Sequence, residues 1–125
     1  MPSPRYLIDV GAVEDFLEGR PKVVDVGGRE LGIIQWQDAF YAVRNVCAHM
    51  GARLCLGTVT ARMISDGPMS PIEADYAHPV ITCPWHGWTF DIGSGNSVFD
   101  PRRFRVKSYP VQIQAGRVLV ELGPA

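Results

Sequence analysis

The sequence has few cysteines, few histidines and no long apolar run. Its 125 residues include three cysteines and three histidines. An odd number of cysteines, with no secretory signal at the start of the chain, argues against a disulfide framework and favours metal binding or an unpaired thiol. No stretch approaches the roughly 20 apolar residues that span a bilayer. We therefore expect a cytoplasmic protein without a membrane partner.

The chain also lacks a strong excess of charge of either sign. Twelve basic and 13 acidic residues give a formal net charge of −1, which provides no general attraction to nucleic acid or to an anionic membrane. The length suits one domain and is too short for a second domain with its own core. We therefore predict a single domain over residues 1–125.

Short runs rich in β-branched and aromatic residues dominate both ends of the chain. They cover residues 22–26, 31–36 and 40–44, and then 103–107, 111–113 and 118–122. Gly27 and Gly28 suit a two-residue hairpin turn, because both turn positions can take positive φ. Apolar residues at helical spacing predict one short N-terminal helix over residues 11–18. The whole pattern predicts an all-β fold, an antiparallel β-sandwich or small barrel.

An insertion separates the two β-rich portions. The base strands are expected over residues 1–44 and 101–125, and the insertion over residues 45–100 holds every cysteine and histidine. Within the insertion, residues 58–80 contain several Pro and Ser residues and no sustained period. We predict an irregular surface loop for residues 58–80, and we expect the chemistry of the protein to lie in the rest of the insertion.

Two cysteines and two histidines form two tight pairs. Cys47 and His49 are separated by one residue, and Cys83 and His86 by two. Each pair can lie on one loop and offer a thiolate and an imidazole to a common centre. This donor set selects zinc or an iron–sulfur cluster over calcium or magnesium. Clusters with four cysteine ligands are excluded by the cysteine count, so a [2Fe–2S] centre with mixed ligands remains, with structural zinc as its competitor.

The residues around these pairs resemble the Rieske family, in particular its oxygenase-associated ferredoxins. The motif Cys-Pro-x-His-Gly-Trp-x-Phe-Asp runs from Cys83 to Asp91, and segments 40–46 and 108–111 resemble the flanking strands of such ferredoxins. The resemblance implies a Rieske-type β fold with an inserted cluster-binding subdomain and one [2Fe–2S] cluster per chain. The interval between the two motifs is longer than the family usually has, and the excess lies in residues 58–80.

The resemblance also implies how the cluster is held. Cys47 and Cys83 would bind one iron, and His49 and His86 the other. We expect seven further residues to surround the cluster: Met50, Leu54, Pro84, Trp85, Gly87, Trp88 and Phe90. High-potential members of the family have hydroxyl-bearing residues where this chain has Trp88 and Phe90. Fewer hydrogen-bond donors to sulfur predict a reduction potential near the low end of the Rieske range, on the order of −150 mV.

The function implied is that of a one-electron carrier, which is not itself an enzyme. It would pass electrons from a flavin or iron–sulfur reductase to a terminal oxygenase. A catalytic oxygenase subunit would need two further histidines and a carboxylate for its mononuclear iron, and only His78 remains. Two alternatives stay open, a small subunit of a larger redox enzyme such as nitrite reductase and a zinc-stabilised interaction module. We expect neither Cys55 nor His78 to be a ligand.

Overall fold

The computed structural model describes residues 6–46, 54, 57–65, 67–83, 88–98 and 104–122. Within these ranges the chain forms ten β-strands and one 3-10 turn. The elements are β1 (Tyr6–Ala12), the 3-10 turn (Val13–Asp15), β2 (Lys22–Val26), β3 (Arg29–Trp36), β4 (Ala39–Arg44), β5 (Thr58–Ile64), β6 (Glu73–Thr82), β7 (Thr89–Asp91), β8 (Ser108–Tyr109), β9 (Val111–Gln114) and β10 (Arg117–Leu122). No helix in the described part of the chain is long and apolar enough to cross a membrane.

The strands form three antiparallel sheets. Two sheets come from the chain ends, with strand orders β1-β10-β9 and β2-β3-β4-β8. The third sheet, β5-β6-β7, comes from the insertion. Within each sheet, every two neighbouring strands run antiparallel to each other. The predicted all-β fold class, with antiparallel strands and a separate inserted part, is therefore confirmed.

The central sheet is covered on both faces, because β3 contributes to two cores. Leu31 and Ile33 belong to the base core, which also contains Val118 and Val120 of β10. Ile34 belongs to a second core on the cluster side, together with residues of the insertion. Successive side chains of a strand point to opposite faces of the sheet. The base sheet and the insertion sheet therefore pack on opposite sides of β3, which explains why β3 reads as a continuous apolar run.

The turn between β2 and β3 has the predicted conformation. Gly27 and Gly28 have φ values of 60° and 84°, as a two-residue turn with positive φ at both central positions requires. The Gly28 backbone N–H also donates to the Asp25 side chain at 3.0 Å. These contacts fix the register of the central hairpin.

The N-terminal helix is shorter than predicted. Residues 11 and 12 complete β1 and pair with β10, and only Val13–Asp15 form a single 3-10 turn. The Val13 N–H donates to the carbonyl of Gly116 at 2.9 Å instead of entering a helix. Pairing with β10 therefore outweighs the helical spacing of the apolar residues, although Phe16 still reaches the base core.

The prediction of an irregular loop over residues 58–80 is wrong. Thr58–Ile64 and Glu73–Thr82 form β5 and β6, a long antiparallel hairpin. Its register shifts between Ala61, which pairs with Pro79, and Arg62, which pairs with Asp75. Proline is tolerated in a sheet at such a bulge, and the other two prolines of the segment fall in the turn between the strands. The prolines thus mark a bulge and a turn, while the short β-branched runs between them form strands.

The strand predicted over residues 103–107 is also absent from its described part, residues 104–107. Arg105 makes an isolated bridge with Asn96, and the Val106 N–H donates to the Gly95 carbonyl at 2.7 Å. The segment therefore bonds mainly to the turn after β7, and only the Lys107 carbonyl accepts from the central sheet, from the Arg44 N–H at 2.9 Å. Buried and exposed side chains nevertheless alternate as predicted, since Val106 is buried while Arg105 and Lys107 are exposed.

Candidate metal centre

The structure describes some of the residues predicted to form the metal site. Cys83 is the one predicted ligand that lies within the described residues, as do Leu54, Trp88 and Phe90 of the predicted surroundings. The remaining predicted residues lie outside the described residues: Cys47, His49, Met50, Pro84, Trp85, His86 and Gly87. The ligand set as a whole stays a prediction, and the geometry below concerns the framework that presents it.

Cys83 lies at the start of the connection between β6 and β7. It directly follows Thr82, the last residue of β6, and is 1% exposed. Its backbone N–H donates to the carbonyl oxygen of Trp88 at 2.6 Å. The next pair in the ladder joins Thr82 to Thr89, whose hydroxyl oxygens are 3.2 Å apart. The second motif is therefore a hairpin connection closed at its base, which fixes both ends of the loop that carries Cys83 and His86.

The residues that end the first predicted ligand loop, Leu54 and Gly57, lie close to the start of the second loop. Leu54 is fully buried in the cluster-side core that also contains Cys83. The Gly57 N–H donates to the Leu54 carbonyl at 2.9 Å. A Cβ atom at Gly57 would lie only 1.8 Å from the Thr82 carbonyl oxygen, so this close approach requires glycine. The backbone that leaves the first loop is thus pressed against the residue that precedes Cys83.

Apolar and aromatic side chains enclose this convergence of the two loops. Phe90 is buried in the cluster-side core, and Trp88 packs against it. The Trp88 ring meets the Phe104 ring edge to face, with centroids 4.6 Å apart. Neither Phe90 nor Trp88 carries a hydroxyl group. The environment of Cys83 is therefore apolar, which excludes water and lowers the local dielectric constant.

The burial of Cys83 fits a thiolate ligand of an iron–sulfur cluster. An isolated thiolate in such an apolar place would be costly, whereas a thiolate bound to ferric iron has its charge offset. Among the described residues, no group of three or more His, Cys, Asp or Glu side chains could hold a metal ion. Cys83 therefore fits a cluster ligand in donor chemistry and in shielding from water.

Sequence reasoning missed two residues that shape this site. Gly57 is a lone glycine ahead of a β-branched run, and nothing in its sequence context distinguishes it from a turn glycine. Phe104 is predicted to lie in a strand, and only the structure shows that its ring packs on Trp88. The alternation of residues 104–107 was the available signal for an inward-facing Phe104, but it did not indicate what that ring would contact.

Cys55 and His78 were expected not to be ligands. Cys55 lies outside the described residues. His78 lies on the β5–β6 hairpin with its side chain 60% exposed, and its Nδ1 is 2.7 Å from the Asp75 carboxylate. The hydrogen bond from His78 lowers the pKa of Asp75, with a smaller contribution from its other neighbours. His78 is therefore a surface histidine paired with a carboxylate.

Comparison with known proteins identifies the family. The model of the Rieske [2Fe–2S] domain matches residues 7–110. The chain belongs to the Rieske [2Fe–2S] family. This Rieske chain is 33% identical over 115 residues to the ferredoxin component of the naphthalene 1,2-dioxygenase system of Pseudomonas putida, which covers 92% of this chain and 94% of that protein. The predicted [2Fe–2S] cofactor is thereby confirmed, in preference to structural zinc.

Solved structures give the same assignment. The ferredoxin of carbazole 1,9a-dioxygenase from Nocardioides aromaticivorans superposes with a TM-score of 0.72 at 26% identity, over 91% of this chain and 95% of that chain. An NADH-dependent nitrite reductase small subunit from Mycobacterium tuberculosis superposes with a TM-score of 0.80 at 21% identity, over 98% and 100% of the two chains. The second likeness shows the shared fold alone.

The names of the relatives also distinguish an electron carrier from a catalytic subunit. Proteins similar over nearly the whole Rieske chain are named as ferredoxin components of multi-component systems. The chain is therefore a Rieske electron carrier and not the catalytic subunit of an oxygenase, as predicted.

Proposed function

We propose that this Rieske protein accepts one electron from a flavin or iron–sulfur reductase and passes it to a terminal oxygenase. The single observation that carries the proposal is its similarity, from end to end, to ferredoxin components of dioxygenase systems. The structure adds support, because Cys83 lies in an apolar, tightly closed hairpin connection suited to a redox centre. We infer that this exchange takes place in the cytoplasm, as the sequence composition predicts.

We further propose the ligand set predicted from the motifs. Cys47 and Cys83 would bind one iron of the cluster, and His49 and His86 the other. The bound cluster supplies a site that takes up and releases one electron reversibly. The contribution of the chain is positional: the Cys83–Trp88 backbone hydrogen bond closes the second loop, and the Gly57–Thr82 approach holds the first loop against it.

The apolar surroundings should keep the potential low. Thiolate and sulfide charges are stabilised by hydrogen-bond donors, and reduction becomes easier as donors are added. Trp88 and Phe90 offer no hydroxyl donor, and Phe90 is packed within the core. We therefore expect a potential on the order of −150 mV, suited to accepting electrons from a reduced flavin.

The proposal is tested with the anaerobically purified full chain. It should contain two irons and two acid-labile sulfides per chain, in the proportion of one [2Fe–2S] cluster. In a mixture of NADH, the reductase of a naphthalene dioxygenase system and cytochrome c as acceptor, cytochrome c reduction should depend on the added chain. A colourless zinc protein, or a cluster that no reductase of this class reduces, would contradict the proposal.

A second candidate, which the sequence leaves open, is a small subunit of a nitrite reductase; a solved structure of such a subunit shares this fold. Such a subunit would purify in a stable complex with a larger chain. A carrier would purify alone and exchange electrons in transient encounters. Affinity purification of the tagged chain from its native cells, followed by sizing at high dilution, distinguishes the two.

A further inference from the structure

Three exposed basic residues lie together at the end of the central sheet from which the first predicted ligand loop leaves. Arg44 is the last residue of β4, and Arg105 and Lys107 belong to the segment that precedes β8. All three are exposed, and we call them the basic patch. The formal net charge of the whole chain is −1, so this local concentration of positive charge is not visible in the overall composition.

Backbone pairing places Arg44 and Lys107 side by side. The β4–β8 register pairs Val43 with Ser108, and the Arg44 N–H donates to the Lys107 carbonyl at 2.9 Å, which extends the pairing by one residue. Directly opposite residues of an antiparallel pair project from the same face, with Cβ atoms about 5 Å apart. Two like charges are therefore held close together, an arrangement that destabilises the strand pair.

The alternation of residues 104–107 brings Arg105 to the same side as Lys107. Val106 is buried in the cluster-side core, and Phe104 packs against that core. Because side chains of an extended chain alternate in direction, Arg105 and Lys107 project the other way, into solvent. The Lys107 Nζ lies 5.9 Å from the centroid of the Tyr109 ring. The basic patch thus presents its charges on one continuous surface.

Within the described ranges, no carboxylate forms an ion pair with the basic patch. The ion pairs of described residues involve Asp75 and Asp9, and neither reaches these cations. Glu30 is next to the residue that pairs with Arg44, but its carboxylate accepts from the Asn45 side chain at 3.3 Å. The repulsion within the basic patch is therefore not offset by a described carboxylate, and a partner of opposite charge would offset it.

The basic patch is close to both predicted ligand loops. Arg44 precedes Cys47 by three residues, which span at most about 10 Å of extended chain. Phe104, the neighbour of Arg105, has its ring against Trp88 at the end of the second loop, with centroids 4.6 Å apart. A protein that docks on the basic patch therefore lies beside the cluster end of the molecule.

The direction of electron flow favours the electron donor as the acidic partner, a step that rests on the proposed carrier function. Uptake of one electron adds a negative charge beside these cations and weakens their attraction for an acidic surface. An acidic donor would therefore bind the oxidised chain more strongly and dissociate after the transfer. An acidic acceptor would bind the reduced chain, which it has to recognise, less strongly than the oxidised chain.

We propose that the basic patch of Arg44, Arg105 and Lys107 docks an acidic face of the reductase that reduces this chain. Exposed charges at the rim of a transient contact act mainly on the rate of association and on its dependence on salt. The basic patch therefore guides the reductase to the cluster end, and the apolar surroundings of Cys83 are left unchanged.

Calorimetric titration of the oxidised, cluster-loaded full chain with the oxidised reductase of a naphthalene dioxygenase system tests this proposal without turnover. The Kd of the parent chain should rise about tenfold or more between about 0.05 M and 0.5 M NaCl, because salt screens exposed charges. At low salt, the double variant Arg105→Glu/Lys107→Glu should raise the Kd about tenfold or more. Its visible absorption should match that of the parent, which separates docking from cluster binding.

Arg20→Glu/Lys22→Glu is the matched control. It also reverses one exposed arginine and one exposed lysine two residues apart, and the Lys22 Nζ likewise lies over an aromatic ring, 5.1 Å from the centroid of Phe16. Lys22 begins β2, and β2 and β8 are the opposite edges of the central sheet. The control makes the same change in net charge, and its Kd should stay within about twofold of the parent value.

Two small oxidants of opposite charge test the basic patch without a protein partner. Ferricyanide, an anion, and hexaammineruthenium(III), a cation, each take one electron from the chemically reduced chain. Arg105→Glu/Lys107→Glu should slow the reaction with ferricyanide and speed the reaction with the ruthenium complex. Equal rates in the parent and in this variant would show that the basic patch does not act at the cluster end, and would refute the proposal.

The docking proposal and the carrier function fail in different ways. A reductase that reduces the chain, but with a Kd that is independent of salt or equally raised in the control variant, would refute the docking surface and leave the carrier function intact. A reductase that neither binds nor reduces the parent chain would refute both. If the charge reversal lowers the yield of folded protein, Arg105→Gln/Lys107→Gln gives the same test, with a smaller rise in Kd expected.

Discussion

The two ends of the β5–β6 hairpin have the same secondary structure and different surroundings. At the cluster end, Ile81 and the following Cys83 are buried in the core shared with the central sheet, and Val80 is 4% exposed. At the distal end, Met63 and Ile72 project from the same hairpin without cover. Strand pairing alone is thus sufficient to form the hairpin. Packing against the core determines which part of the hairpin can hold a metal ligand in position. Substitutions at the two ends should therefore differ in effect.

The largest effect is expected at Gly57, where the cluster end tolerates no side chain. In Gly57→Ala the new Cβ would meet the Thr82 carbonyl at 1.8 Å, and backbone must move at the residue preceding Cys83. We expect a loss of at least about 3 kcal/mol in the free energy of unfolding, together with faster loss of the cluster absorption. Chemical denaturation and the decay of visible absorption would measure both.

Gly93→Ala is the control for this prediction. Its Cβ would contact the Asp91 side chain at 3.2 Å and not a backbone atom, so a small adjustment suffices. If Gly57→Ala were as stable as Gly93→Ala, the two loops would not be held together by the backbone approach described above.

Two isoleucines of the same hairpin provide a matched comparison of its ends. Ile81 is fully buried at the cluster end, and Ile72 is 73% exposed at the distal end. Ile81→Ala should cost about 2–5 kcal/mol through lost burial and a cavity. Ile72→Ala should stay within about 0.5 kcal/mol of the parent. Equal costs, measured by urea denaturation of the two variants, would show that the distal end of the hairpin is packed in solution.

The contrast between packed and unpacked strands also explains how much of this fold could be predicted from the sequence. Strands β2, β3, β4, β9 and β10 were predicted within a few residues because they are short runs rich in β-branched and aromatic residues with glycine or polar residues between them. The hairpin was missed because Pro71 and Pro79 were taken as signs of irregular structure. A proline at a bulge and a proline beside a turn leave the strand pairing intact, and this depends on a partner strand that no local pattern reveals.

The metal site could be predicted from the sequence to about the same extent as the fold. The spacing of Cys83 within its motif was sufficient to identify the family. The role of Gly57 was not predictable, since it depends on the Thr82 carbonyl of a strand 25 positions later in the chain. Close approaches between distant segments are a property of the folded chain.

A smaller effect is expected on the reduction potential from Trp88, next to the second loop. Trp88→Ser places a hydroxyl donor near the ligand sulfur. A hydrogen bond to a charged group is worth about 1.5 kcal/mol or more, which corresponds to a rise of about 60 mV for one electron. Redox titration followed by visible absorption measures the shift.

Trp88→Phe controls for the loss of bulk in this variant. It removes the indole without adding a hydroxyl, and Phe104 can still pack against the smaller ring. A similar rise in Trp88→Phe would attribute the change to packing or solvent entry and contradict the proposed role of hydrogen-bond donors.

The smallest effect is expected at the surface pair on the hairpin. The hydrogen bond from His78 lowers the pKa of Asp75, so the folded state binds that proton less tightly than the unfolded state. The resulting stabilisation is present above the unfolded pKa of about 3.9 and is lost as the pH falls through the lower folded value. Asp75→Asn should therefore melt slightly below the parent at pH 6, and the two melting temperatures should converge below pH 4. If the difference in melting temperature stayed constant from pH 6 to below pH 4, the Asp75–His78 pair would not be its cause.

The central claim is that two loops, held together at Gly57 and Thr82, give one cysteine and one histidine each to a single [2Fe–2S] cluster. Pulsed EPR of the reduced protein tests it most directly. We predict hyperfine coupling from two histidine nitrogens, and its disappearance with the cluster itself in Cys83→Ala. A reduced signal without nitrogen coupling, or a cluster that persists in Cys83→Ala, would contradict this account.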